Sequence, residues 1–69
     1  MMLDDEIMLA IKEHDGLTCP DLTRIIYPDA KEWDKYSLTS KINRHCNKLH
    51  RHGYLTKQDT EDGLIWGLA

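Results

Sequence analysis

In "SLTSKINRHCNKLHR", residues 37–51, cations and amides recur every three or four positions. Stepping 100° per residue, Ser37, Ser40, Lys41, Arg44, Lys48 and Arg51 fall on one side of a helix, with Asn43 and Asn47 on its flank. Lysine and arginine on such a face neutralise phosphate, and both can reach the acceptors of a guanine edge. Asparagine offers a donor and an acceptor together, the combination an adenine edge needs. Serines at a helix start suit phosphate oxygens, because unpaired backbone N–H groups and the helix dipole favour anions there. This is the chemistry of holding a polyanion.

The charge pattern supports that reading. The chain has 69 residues and a net charge of −3, which alone argues against an anionic partner. Residues 1–34 hold nine acids against Lys12, Arg24 and Lys31, a balance of −6. Residues 35–57 hold Lys35, Lys41, Arg44, Lys48, Arg51 and Lys57 with no acid, a balance of +6; Asp59, Glu61 and Asp62 follow. A polyanion at contact distance meets the local field, since charges beyond roughly 10 Å are screened at 0.1 M salt. A merely solvated helix face would interleave Glu and Lys for local pairing. Cations also favour a helix's carboxyl end, which accounts equally well for His50, Arg51 and His52. It leaves Lys41, Arg44 and Lys48 unexplained. Lys35 and Lys57, at either end of the acid-free run, join the candidate contacts.

The elements that must position these residues can be read locally. Residues 3–14 have helical periodicity, with Leu3, Ile7, Ala10, Ile11 and His14 on one face and Gly16 as the stop. In "LTCPDLTRIIYP" Thr18 is an N-cap with Asp21 as its reciprocal partner, and Pro20 lies in the first turn. Leu22, Ile25 and Ile26 make the buried face of this second helix, and Tyr27-Pro28 closes it. "DAKEWDKY" reads as a loop with at most one turn of helix, and its Trp33 as a lid over the core. Ser37 then caps a third helix running to about His52, whose core stripe is Leu38, Ile42, His45 and Leu49. Gly53 ends it in a left-handed conformation, with Tyr54 packing back on Leu49. Two short runs, residues 54–58 and 64–68, flank the polar turn "DTEDG" and predict a β-hairpin. Leu55 points inward from the first strand, and Leu64, Trp66 and Leu68 share one face of the second.

Helix, short capped helix, longer helix and hairpin, in that order, resemble a winged helix-turn-helix domain across residues 1–69. The resemblance is strongest in "SKINRHCNKLHRHGYL", which is similar to the recognition helix of small transcriptional regulators: Leu49, three polar residues, Gly53, then Tyr54-Leu55. It implies an α+β fold of three helices and a carboxyl-terminal hairpin wing, with the third helix in the major groove of double-stranded DNA. The connection from Tyr27 to Ser37 is longer than the turn usual in that family. "Ile-Asn-Arg" and Trp66 also resemble the Z-DNA-binding winged helices, which implies roles for Asn43, Arg44 and Trp66. The chain departs from that group at Asn47, where the group has a tyrosine, and at Leu64-Ile65, where the group has prolines. It departs from winged regulators generally at Asp59, Glu61 and Asp62, where a basic wing tip is common. The resemblance thus leaves a rival, a protein-interaction module that docks its basic helix or acidic wing on a partner protein.

Other classes are disfavoured. With 41% hydrophobic and 30% charged residues the chain reads as one globular domain rather than a disordered tail. A single core of this size leaves a thin margin of stability, which a homodimer would widen; a palindromic DNA site would also require one. No apolar run nears the roughly 20 residues of a membrane span, and the acidic "MMLDDEIMLA" is unlike a secretory leader. Cys19 and Cys46 behave as small hydrophobes and fit a reducing, cytoplasmic setting. Cys46 and His50 are four residues apart, but without a paired motif no metal or other cofactor is expected. Neither a glycine-rich phosphate loop nor a catalytic triad is present, so no enzymatic activity is expected.

Overall fold

The computed structural model describes residues 2–14 and 16–69. Its elements are α1 (Leu3–His14), α2 (Cys19–Ile26), α3 (Glu32–Arg51), β1 (Leu55–Thr60) and β2 (Gly63–Leu68). Three helices followed by a two-stranded antiparallel hairpin give an α+β layout consistent with a winged-helix arrangement.

Helix α1 opens with Asp4, Asp5 and Glu6 and ends with Lys12 and His14, the order the helix dipole favours. Ile7, Ala10 and Ile11 are buried, whereas His14 is exposed rather than on the core face. Leu17 then exchanges two backbone bonds with Trp66, at 3.0 and 2.8 Å, tying the link between α1 and α2 to the second strand. Gly16 stands beside that bridge at φ +110°, where a Cβ would also meet Ile65 Cγ2 at 3.3 Å.

Helix α2 has the expected capping box: the Asp21 amide donates to Thr18 Oγ1, and the Thr18 amide donates to the Asp21 carboxylate. Its inner stripe is Cys19, Leu22, Thr23 and Ile26, at helical spacing. Ile25, one step round the helix, is 40% exposed, against the sequence expectation. Buried Thr23 donates its hydroxyl to Cys19 O and meets Thr39 Oγ1 at 2.7 Å, which pins α2 to α3.

Helix α3 starts five residues earlier than Ser37, so the expected loop and serine cap are both corrected. Lys31 occupies the N-cap without a side-chain bond. Residues 29–52 contain neither glycine nor proline, Glu32 and Asp34 suit the first turn, and Lys35 pairs with Glu32 at 2.9 Å. Nothing local stops the helix from starting there. Trp33 therefore rides on the outside, 74% exposed, instead of covering the core. The core stripe is Ile42, Cys46 and Leu49, with Leu38 half-buried; His45 turns toward α1 instead. At the far end Gly53 has φ +84°, and its amide and that of Tyr54 donate to His50 O and Leu49 O, the paired bonds of a Schellman stop.

The hairpin is longer and tighter than its sequence suggested. Pairing runs from Leu55 with Leu68 to Thr60 with Gly63, which leaves a two-residue turn, Glu61-Asp62. Leu55 and Trp66 are buried and Leu64 is half-buried, whereas Leu68 is 42% exposed where β2 runs past the core. Trp66 closes the core beneath all three helices, and His50 donates Nδ1–H to Leu55 O across the α3–β1 corner.

Candidate nucleic-acid interface

The outer face of α3 is where the periodicity places it. Ser37, Ser40, Lys41, Arg44, Lys48 and Arg51 are exposed, and Asn43 and Asn47 are half-buried on the flank. Ser37, now in the second turn, is no longer a cap. The helix spans about 30 Å at 1.5 Å per residue, enough to lie along a major groove. Lys41, Arg44, His45 and Lys48 line one open cationic groove of about 360 Å³.

The candidate cations divide into held and free. Lys35 is drawn into its pair with Glu32. Lys48 Nζ lies 3.0 Å from Asp4 Oδ2, while the other Asp4 oxygen is 2.6 Å from His45 Nδ1. The hydrogen bond from His45, helped by Lys48 and opposed by burial, holds the Asp4 carboxyl below its ordinary value. Lys57, on β1, donates to Asn47 Oδ1 at 3.3 Å and stands 5.5 Å from the centre of the Trp66 ring. Among the described residues, Lys41, Arg44 and Arg51 have no ion-pair partner.

The two asparagines form a relay rather than two free amides. Asn47 Nδ2 donates to Asn43 O at 2.9 Å and to Asn43 Oδ1 at 3.4 Å. The Cys19 thiol also donates to Asn43 Oδ1, at 3.7 Å, and accepts from Trp66 Nε1 at 3.3 Å. A hydrogen bond from Cys46, opposed by burial and aided by the Trp66 donor, draws the Cys19 thiol down to about 7. Cys46 shifts upward, through its bond to Cys19, its burial and the negative charge nearby. The side chains of α2, α3 and β1 are thus joined through Cys19, Asn43, Asn47 and Lys57.

The structure adds two placements to this face. One is aromatic: Trp33 and Tyr36 are 74% and 82% exposed on the first turns of α3. With the helix begun at Glu32, Trp33 falls on the same line as Arg44 and Arg51. The other is acidic: the tight hairpin turn brings Asp62 into a groove of about 400 Å³ that also contains Cys19, Tyr36, Ser40 and Asn43. The wing tip therefore stands over the candidate interface. Among the described residues no group of three or more His, Cys, Asp or Glu side chains converges to hold a metal ion, and no helix is long and apolar enough to cross a membrane. No family model, curated protein or solved structure matches this chain.

Proposed function

We propose that this chain binds double-stranded DNA through the outer face of α3, as a small sequence-specific regulator of transcription. The observation that carries the proposal is the free, exposed set Lys41, Arg44 and Arg51, on a segment that has no carboxylate from Lys35 to Gln58. Arg44 lies mid-face and is the candidate base reader; Lys41 and Arg51 are phosphate contacts. Ser40 and Asn43 supply hydrogen bonds beside Arg44, and Asn47 holds Lys57 at the edge of the same face.

Salt dependence tests the reading. With Lys35 paired to Glu32 and Lys48 to Asp4, about four cations (Lys41, Arg44, Arg51 and Lys57) remain to displace counterions. Log K should then fall against log salt with a slope of roughly −3 to −4. Selection from random duplexes should enrich one motif, and Arg44→Ala should relax preference at one position of it by about 1–3 kcal/mol. A chain that retains no duplex at low salt contradicts the proposal.

One observation favours a second reading. Asp59, Glu61 and Asp62 are exposed on and beside the wing turn, and phosphate would repel them there. A protein-interaction module would use this acidic tip, or the basic helix, to dock on a partner of opposite charge. Binding to such a protein but not to duplex DNA would select that reading.

A further inference from the structure

Among the described residues, Trp33 and Tyr36 are the most exposed large apolar side chains, at 74% and 82%. Burying an aromatic ring removes roughly 150–250 Å² from water. In a domain with so small a core, leaving two such rings in solvent forgoes stabilisation that the fold could use. A ligand is the natural recipient of that surface.

The neighbours of the rings indicate its chemistry. Lys31 Nζ sits 5.2 Å from the centre of the Trp33 ring, so a cation accompanies one aromatic. Tyr36 borders the groove of Ser40, Asn43 and Asp62, which offers hydrogen bonds beside a flat face; the Asp62 carboxylate there favours an uncharged base over a phosphate. Trp33 is in line with Arg44 and Arg51, the former about 16 Å further along the helix. Glu32 is occupied by Lys35, and Asp34 faces the separate groove of Tyr27 and Pro28. Aromatic faces interleaved with cations match a strand that carries both bases and phosphates. Inside a closed duplex, stacking covers the base faces, and only unpaired or splayed nucleotides present them.

Resting on the reading of α3 as a nucleic-acid-binding helix, we propose that Trp33 and Tyr36 form a base-stacking platform at the amino end of its basic face. The partner is then a duplex with an adjoining single-stranded segment. Arg44 and Arg51 hold the paired part, and the two rings take the first unpaired bases.

The two tryptophans make this testable, because Trp66 is fully buried and Trp33 is exposed. A duplex with a short single-stranded overhang should quench Trp33 emission and bind about tenfold tighter than the same duplex with blunt ends. Trp33→Ala and Tyr36→Ala should erase that preference while leaving blunt-duplex affinity unchanged. Trp33→Phe should lose the quenching but keep the preference, since phenylalanine still stacks. Arg44→Ala should weaken both DNAs alike. Equal binding of overhang and blunt duplex by the intact protein overturns the platform and leaves the duplex reading standing. So does loss of self-association in Trp33→Ala, which would make the rings a dimer contact. Failure to bind either DNA overturns both.

Discussion

Asp4→Asn probes how the acidic amino-terminal helix governs the basic one. The Asp4 side chain, only 19% exposed, bridges His45 at 2.6 Å and Lys48 at 3.0 Å. Asparagine keeps the size and one acceptor but removes the charge. A hydrogen bond to a charged group contributes about 1.5–3 kcal/mol, whereas the Lys48 arm is 49% exposed and contributes at most about 1 kcal/mol after screening. The substitution should therefore cost about 1–2 kcal/mol, mostly through His45. In a domain of this size each kcal/mol lowers the melting temperature by about 4–8 °C.

Acid supplies the sign. A carboxyl held below its ordinary 3.8 when folded binds fewer protons in the native state than in the unfolded one. Its contribution is complete above that unfolded value and is lost as pH falls through the lower folded value. The stability gap between the native protein and Asp4→Asn, measured by urea unfolding, should be full at neutral pH and shrink below 3.8. The same change releases Lys48, so the slope of log K against log salt for duplex DNA should steepen by about one. A gap that widened in acid, or an unchanged slope with normal binding, would refute the assignment of Asp4 as the counter-charge of α3.

Three further outcomes are expected. Ile42→Ala, at a fully buried position of the core stripe, should lower the unfolding free energy by about 2–5 kcal/mol in urea, and a loss under 1 kcal/mol would place Ile42 outside the core. Iodoacetamide should alkylate Cys19 at a rate that climbs as pH passes about 7, while buried Cys46 stays unmodified in the native fold; equal labelling by mass spectrometry would contradict the asymmetry. Replacing Asp59, Glu61 and Asp62 with Asn, Gln and Asn together should tighten duplex binding a few-fold at low salt, a gain that fades as salt rises. Weaker binding by that variant would give the carboxylates an attractive role.

What could be read from the sequence was local. The start of α2 rests on bonds between Thr18 and Asp21, three residues apart, and the end of α3 on bonds from Gly53 and Tyr54 to the preceding turn. Such signals lie within one window of the chain. The start of α3 carries no cap, because Lys31 makes no side-chain bond; the available clues were weaker ones, the acids Glu32 and Asp34 ahead of Lys35 and the lack of glycine and proline after Pro28. Burial of the aromatics was legible only in part: strand alternation put Trp66 on the apolar face of the hairpin, where it is buried, whereas Trp33, expected as a lid, is exposed. Trp66 and Trp33 are chemically the same, and their opposite fates depend on which helix face and which strand face the fold turns inward. The Leu17–Trp66 bridge and the Asp4–His45 contact join residues more than forty positions apart. Nothing nearby in sequence announces either one.

The same distinction bears on the binding face. Counted along the chain, residues 35–57 supply six cations, as if all were available to a polyanion. In the folded molecule Lys35 serves the first turn of α3, Lys48 clamps α3 to α1, and Lys57 joins β1 to Asn47. Each therefore has a structural use that predates any partner. Six phosphate contacts would give a salt slope of roughly −5, whereas the three unpaired cations with Lys57 give −3 to −4. Lys57 is the informative member, because its neutral partner, Asn47, leaves its full charge available where Asp4 and Glu32 neutralise the other two. Lys57→Ala should then flatten the slope by about one, and Lys35→Ala should leave it unchanged. If Lys35→Ala flattened the slope as much as Lys57→Ala, the pair with Glu32 would have to open on binding, and the division of cations drawn from the unbound fold would fail.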